Sequence, residues 1–227
     1  MIFELPSNVV VVSDLDDTLY AERDFVLSGY LAVAKVAGVE DPRHLCDWMM
    51  RRYDEGREVL SAALEKAKRE SGIDQLGLTD ALEIYREHSP DITLRPDARR
   101  FLDLVMGANI PVGLITDGRS RTQRNKLCKL GLVDKFDPIC ISEEVGVAKP
   151  ALQSFLQVED RFPGRSYVYI GDNPKKDFIA PNKLGWESVC LLDSGENVHT
   201  QNFKGLSTSE SPRYIVSTLD ELALERG

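Results

Sequence analysis

The chain is poor in the residues that mark several function classes. Its 227 residues include three histidines (His44, His88, His199) and four cysteines (Cys46, Cys128, Cys140, Cys190). The cysteines form no C-x-x-C pair and the histidines no ligand spacing, which argues against a zinc site or a disulfide framework. Cys140 and Cys190 sit in apolar, strand-like runs, where cysteine behaves as a small hydrophobe. Basic residues are outnumbered by acidic ones, 28 against 37, for a formal net charge of −9. A field of that sign does not attract nucleic acid or an anionic membrane surface, so neither is an expected partner. No apolar run approaches the length of a membrane span, and no signal-peptide pattern precedes the first apolar run. A soluble, reducing, cytoplasmic setting is the expectation. The hydrophobic content of 42% is that of a folded chain with a sizeable core.

What is there is concentrated at Val9-Val10-Val11-Val12-Ser13-Asp14-Leu15-Asp16-Asp17-Thr18-Leu19. A run of valines reads as a strand buried on both faces, the kind found in parallel sheets. It ends in clustered carboxylates, and the carboxyl edge of a parallel sheet is where open α/β folds place their ligands.

The pattern then changes. Over residues 21–92 the apolar positions recur at helical spacing, and no strand is evident. One helix covers Phe25 to Ala34 and closes at Gly38. A second starts at Asp41-Pro42, with Asp as N-cap and Pro at the first helical position. A third runs through Val59 and Leu64 to Ser71-Gly72, and a fourth is capped by Thr79. This block reads as a helical bundle of its own.

Beyond a proline-flanked linker at 89–96, helix and strand patterns alternate. A helix over Asp97–Met106 leads to a strand at Pro111–Thr116, and a helix over Ser120–Leu130 leads to a strand at Pro138–Ser142. A helix from Pro150 precedes strand Tyr167–Gly171. A helical segment from Pro174 to Gly185 precedes strand Ser188–Leu192. Residues 194–212 form a polar loop of unreadable conformation, followed by a possible edge strand at Tyr214 and a short helix from Leu219. Strand–helix alternation implies an α/β fold: a parallel, Rossmann-like sheet flanked by helices, over residues 1–20 and 93–227. The helical block, 21–92, is an insertion placed to cover a site at the sheet edge.

In a parallel sheet the strand ends converge. They carry Asp14, Asp16, Asp17 and Thr18; Thr116, Asp117 and Gly118; Lys149 before Pro150; and Asp172, Asn173 and Asp177. Like charges about 4 Å apart repel by roughly 4 kcal/mol at an effective dielectric near 20. Protons or a divalent cation must therefore accompany Asp14, Asp16, Asp172 and Asp177, and Lys149 alone supplies too little charge. Oxygen donors without His or Cys suit a hard ion, so Mg²⁺ is the expected cofactor. Thr116, the amides of Asp117-Gly118 before a helix N-terminus, and Lys149 suit a phosphoryl group. A carboxylate in line with phosphorus can form an aspartyl-phosphate, and a second one two residues on can handle the leaving-group proton.

DLDDTL, LITDG, KP and IGDNPKKD, in that order, resemble the motifs of the haloacid dehalogenase (HAD) superfamily. The resemblance spans the chain apart from the inserted bundle and the far C-terminus. It implies that Asp14 is the nucleophile and a metal ligand, and that Asp16 is the general acid/base and binds Mg²⁺ through its carbonyl. Thr116 and Lys149 would bind phosphate, Asp172 would ligate the metal, and Asn173 and Asp177 would support it. The insertion resembles the family's helical cap. Dehalogenases of the superfamily lack an Asp at the position of Asp16, so hydrolysis of a small phosphorylated metabolite, a sugar phosphate or nucleotide, is the implied reaction. A phosphomutase, a phosphoacceptor module and a non-catalytic binding relative stay open, as do monomer and homodimer. ISEEVGVAKP resembles nucleotidase-like and sugar-phosphatase-like members. Pro181 departs from the family pattern inside the helix after the last motif, which puts a kink there and the orientation of Asp177 in question. Arg51, Arg52, Arg57 and Lys66 in the insertion can each reach an anion or simply form a solvated helix face. Asp17 occupies a turn position that shapes the loop leading into the insertion.

Overall fold

The computed structural model describes residues 3–6, 8–56, 58–72 and 76–224. The chain divides into two compact units, one of residues 1–21 and 93–227 and one of residues 22–92. Arg57 lies outside the described residues.

The first unit is built on a six-stranded, fully parallel sheet. After a short strand β1 (Phe3–Leu5), the sheet strands in chain order are β2 (Val9–Ser13), β3 (Val112–Thr116), β4 (Ile139–Ile141), β5 (Ser166–Gly171), β6 (Glu187–Leu191) and β7 (Tyr214–Val216). Their spatial order is β4-β3-β2-β5-β6-β7. The valine run of β2 is therefore central, with β3 on one side and β5 on the other. All its residues are buried, and burying a valine side chain contributes about 1.5–3 kcal/mol. On one face Val10, Val12, Ile115, Tyr169, Phe155 and Trp186 form a continuous core. The chain reverses its direction of winding between β2 and β5, and that switch point opens a crevice at the carboxyl ends of both strands.

Helices connect the strands: α5 (Pro96–Gly107), α6 (Ser120–Leu130), the short α7 (Ser142–Val145), α8 (Gln153–Arg161) and α9 (Ile179–Lys183). Two helices are shorter than expected. After Pro150 regular helix begins only at Gln153. After Pro174 it begins only at Ile179, because Asn173 Oδ1 accepts the Lys175 N–H at 3.1 Å and Asp177 Oδ2 accepts the Asn173 N–H at 2.8 Å. Those side-chain bonds hold residues 173–177 as a turn in competition with helix. Pro181 then falls in the first turn of α9, where its missing N–H costs no helical hydrogen bond. Asp177 precedes the helix, and its carboxylate is held by Lys149 and the Asn173 N–H.

The C-terminal segment also differs from expectation. Leu219–Glu221 form a single 3₁₀ turn, and β8 (Leu222–Leu224) pairs in parallel with β1 as a small separate sheet. Asp97 Oδ2 accepts the Leu219 N–H and the Thr218 hydroxyl, each at 3.0 Å. The backbone beyond finds its partners in β1, so no helix forms.

The second unit is helical: α1 (Glu22–Val36), α2 (Pro42–Met50), α3 (Glu58–Ser71) and α4 (Leu78–Glu87). Asp41 caps α2 by accepting the Arg43 and His44 N–H groups at 2.9 and 3.1 Å. Thr79 is not a cap, because α4 begins one residue earlier with Gly77 at the N-cap position. The cysteines are free, and only Cys128 is exposed. Among the described residues no helix is long and apolar enough to cross a membrane.

Candidate active site

The site is assembled from the strand ends at the switch point. Asp14 follows β2, and its N–H continues the ladder to Ile170 of β5 at 2.8 Å. Asp172 follows β5. Asp177 reaches back under β5 to Gly171, where a Cβ would stand 2.6 Å from Asp177 Oδ2. That contact requires the glycine. Oxygens of Asp14, Asp172 and Asp177 lie within 4.8 Å of one another, and all three residues are buried.

Lys149 enters this cluster from the loop after β4. Its Nζ lies 2.9 Å from Asp14 Oδ1 and 2.8 Å from Asp177 Oδ1, and it donates to the Tyr169 hydroxyl at 3.0 Å. Burial works against the lysine's charge, but Asp14 and Asp177 outweigh it and hold the ammonium protonated well above its ordinary range. The carboxylates carry the opposite strain. Burial, together with Asp177 and against Lys149, pushes Asp14 up to about 6. Burial together with Asp14, Asp177 and Asp17 pushes Asp172 up to about 9. The cluster thus holds more negative charge than its lysines compensate. Oxygen-only donors in that state fit a hard divalent cation such as Mg²⁺, which Asp14 and Asp172 would hold with Asp177 beside them.

Asp16 stands apart from that cluster. Among the described residues the carboxylates grouped for a metal do not include it. Its Oδ1 accepts from Lys126 Nζ at 2.6 Å and from the Tyr20 hydroxyl, and its Oδ2 accepts from Gln123 Nε2 at 2.9 Å. Burial opposes its charge, but Lys126 and these donors outweigh burial and hold its carboxyl below the usual range. The convergence of four carboxylates expected from the sequence is therefore a cluster of three. The fourth has a cationic pocket of its own.

Thr116, buried at the end of β3, accepts from Gln123 Nε2 at 2.6 Å. Asp117 acts through its side chain. Oδ1 accepts the Lys149 N–H at 3.0 Å and Oδ2 pairs with Lys176 at 3.1 Å, so it fixes the loop that carries Lys149. Gly118 does not offer a free amide to an anion, because its N–H donates to Ser142 Oγ at 2.9 Å. The N-terminus of α6 is likewise filled from within the protein: Glu143 accepts the Ser120 N–H at 2.8 Å. The helix dipole is satisfied by a carboxylate of the protein itself. Of the residues expected to bind phosphate, Lys149 reaches into the carboxylate cluster, and Thr116 stands at the end of β3 bonded to Gln123.

Several residues around the site lie outside the motifs or in no recognised role within them. Gln123 and Lys126 lie on the same buried face of α6 as Leu127 and Leu130; polar residues at core positions of a helix were the available signal. Tyr169 sits in a buried strand, where its hydroxyl needs a partner. Lys176, inside the last motif, is a second ammonium near Asp14 and Asp177. Asn197 and Gln201, in the loop left unread, carried no signal. Asp17 holds its turn at φ 54°, but its carboxylate accepts the Val198 N–H at 2.8 Å, in that same loop.

In the helical unit, the Arg52 guanidinium lies 4.5 Å from the Trp48 ring centroid and pairs with Glu55 at 2.8 Å. Lys66 pairs with Glu70 and lies 6.0 Å from the Trp48 ring centroid. Arg51 is exposed.

The family profile described as haloacid dehalogenase-like hydrolase matches residues 9–185. A glyceraldehyde 3-phosphate phosphatase of Methanocaldococcus jannaschii is 26% identical over 93% of this chain and 94% of its own. A ribulose-1,5-bisphosphate 5-phosphatase of Halopiger xanaduensis is 30% identical over 66% of this chain, which spans 62% of that relative. The pyrimidine 5'-nucleotidase YjjG of Escherichia coli is 35% identical over 56% of this chain and 54% of its own. Among solved structures, Bacillus subtilis YfnB, assigned as a HAD-hydrolase and crystallised bound to magnesium, superposes with a TM-score of 0.65 at 19% identity, over 93% of this chain and 95% of its own. A 2-haloacid dehalogenase of Pseudomonas syringae gives 0.58 at 22% identity, over the same shares. The shared fold thus hosts more than one chemistry, and the site residues must choose between them.

Proposed function

The chain belongs to the haloacid dehalogenase-like hydrolases, and from that premise we propose that it is a Mg²⁺-dependent phosphatase acting on a small phosphomonoester through an aspartyl-phosphate on Asp14. The observation that carries this reading is the separation of two carboxylates two residues apart. Asp14 sits in the electron-rich cluster with Asp172 and Asp177, while Asp16 is held by Lys126, Gln123 and Tyr20. That separation supports reading Asp14 as the group that bonds phosphorus and Asp16 as the group that handles a proton.

When bound, Mg²⁺ supplies positive charge that lets Asp14 and a phosphoryl group approach each other. The protein's own residues do the rest. Lys149 and Thr116 hold the phosphoryl oxygens. Asp14 attacks phosphorus as the bond to the leaving oxygen breaks, and Asp16 gives that oxygen a proton. Asp16 then takes a proton from water as the water oxygen bonds phosphorus, and the P–O bond to Asp14 breaks. The second step uses Asp16 as an ionised base, the state in which Lys126 holds it; the first requires it to carry a proton and to exchange Lys126 for the leaving oxygen. The helical unit of residues 22–92 serves as the cap that selects the substrate. Relatives named for glyceraldehyde 3-phosphate and ribulose-1,5-bisphosphate support a sugar phosphate, and the nucleotidase relative supports testing nucleotides beside it.

The test is phosphate release from a panel of sugar phosphates and nucleotides, with Mg²⁺ and with excess chelator. Mg²⁺-dependent release from at least one monoester is expected. Release that continues undiminished in chelator would overturn the metal dependence, and no release from any monoester would overturn the phosphatase assignment.

A further inference from the structure

Asp172 does not stand alone at the end of β5. The loop over residues 193–201, which follows β6, folds back onto it. Asn197 Nδ2 donates to Asp172 Oδ2 at 3.0 Å. Gln201 Nε2 donates to the Asp172 carbonyl oxygen at 2.7 Å and to the Leu191 carbonyl at 2.8 Å. Gln201 Oε1 in turn accepts the Asp193 N–H at 3.0 Å. Asp193 Oδ1 accepts the N–H groups of Gly195, Glu196 and Asn197 at 2.7, 2.9 and 3.0 Å. The turn that carries Asn197 is therefore wound around its own carboxylate. On its far side the Val198 N–H donates to Asp17 Oδ2 at 2.8 Å. The loop is tied to the ends of both strands that flank the crevice, β2 through Asp17 and β5 through Asp172.

We propose that this loop is a positioning element of the divalent-cation site: Asn197, with Gln201 behind it, fixes the carboxylate of Asp172 for Mg²⁺. The inference rests on the Mg²⁺ reading above and adds residues that the motifs do not contain. Oxygens of Asp172, Asp14 and Asp177 lie within 4.8 Å of one another, so one Asp172 oxygen can serve a cation only if its carboxylate is held in a defined orientation. A cationic restraint would compete with the ion for the same oxygens. A neutral amide does not: it holds one oxygen and leaves the other to the metal. Gln201 holds the main chain of the same residue, so both ends of the Asp172 side chain are fixed. Asp17 gains a role here as well, because it anchors the loop.

The probe is Mg²⁺ itself, titrated calorimetrically into the metal-free full chain, with the unfolding temperature of each metal-free variant measured alongside. Groups that orient a ligating carboxylate are worth about 10–100-fold in metal affinity. Asn197→Ala is expected to weaken Mg²⁺ binding by about tenfold or more, with the unfolding temperature of the metal-free protein close to wild type. Gln201→Ala is expected to weaken binding in the same direction; if it fails to fold, Asn197→Ala decides. Asp172→Asn separates the two readings. If it abolishes Mg²⁺ binding while Asn197→Ala binds Mg²⁺ like wild type, the loop has no positioning role and the metal site stands. If wild type shows no Mg²⁺ binding that Asp172→Asn removes, the metal reading fails and the loop's role with it.

Discussion

Asp14 and Asp16 are separated by one residue, yet they stand in opposite electrostatic surroundings. Asp14 shares Lys149 with Asp177, and burial together with Asp177 pushes it up to about 6. Asp16 has Lys126 at 2.6 Å and two further donors, and is held below the usual carboxylate range. The local sequence D-L-D does not contain this difference. It comes from α6 on one side of β2 and from β5 with its following turn on the other. Titratable groups whose environments differ in this way take different roles in one site, and the proposed roles run against the metal-free sign: Asp14 has to lose its proton to attack, and Asp16 has to gain one to act as acid. The comparison teaches that the acidic edge is two sites, one short of cations and one already supplied.

The largest test of that division removes the proposed nucleophile. Asp14→Asn should lower kcat by at least about 10³-fold, since it removes the proposed nucleophile; a rate within tenfold of wild type would merge the two sites again. Asp16→Asn should lower kcat by about 10²–10⁴-fold, the usual worth of general acid–base catalysis. It should leave Mg²⁺ affinity nearly unchanged, because the Asp16 carboxylate is outside the metal cluster. A large loss of Mg²⁺ affinity would show that the division is drawn in the wrong place.

The cationic side has its own signature in stability. Lys126 is nearly fully buried, 4% exposed against 18% for Asp16, so Lys126→Met strands a half-buried carboxylate. A loss of about 3 kcal/mol in chemical denaturation is expected, the low end for breaking a buried pair. The double variant Lys126→Met/Asp16→Asn should recover much of that loss, and failure to recover would mean that Lys126 matters for packing alone.

The cation-poor side should appear in pH dependence. Asp172 and Asp14 have folded values of about 9 and about 6, above their ordinary 3.8. The folded, metal-free protein therefore binds more protons than the unfolded chain between about pH 4 and 9, and stability falls as pH rises through that window. In chelator the unfolding temperature should drop from pH 5.5 to pH 8.5, by a few degrees for a protein of this size. Added Mg²⁺ should stabilise more at the higher pH, where less proton has to be displaced. An unfolding temperature in chelator that is flat or rises with pH would contradict the assignment.

The buried sheet and the inserted helical block were legible because both patterns are strong. A valine run ending in carboxylates and an unbroken stretch of helical spacing have few other readings. The cluster of Asp14, Asp172 and Lys149 was legible because parallel strands must bring their ends together. The pocket around Asp16 was harder to read, since Gln123 and Lys126 stand out only when the face of α6 that carries Leu127 and Leu130 is recognised as the buried one. Residues 193–201 were illegible for a different reason. Their order comes from side-chain bonds to Asp172, Asp17 and their own main chain, and such bonds leave no period in the sequence. The Gly118 amide misled for a third reason: its partner, Ser142, lies beyond β4, and the loop looked like an open anion site without it.

The central claim is that Asp14 is the carboxylate that carries the phosphoryl group. The most direct measurement is an acid quench during turnover of a Mg²⁺-supported phosphomonoester, followed by intact-mass analysis and borohydride reduction to locate the modified residue. A phosphoryl group on Asp14, building up further in Asp16→Asn as water attack slows, is the predicted result. Turnover with no phosphoryl group on Asp14 at any quench time, and equally fast in Asp14→Asn, would contradict it.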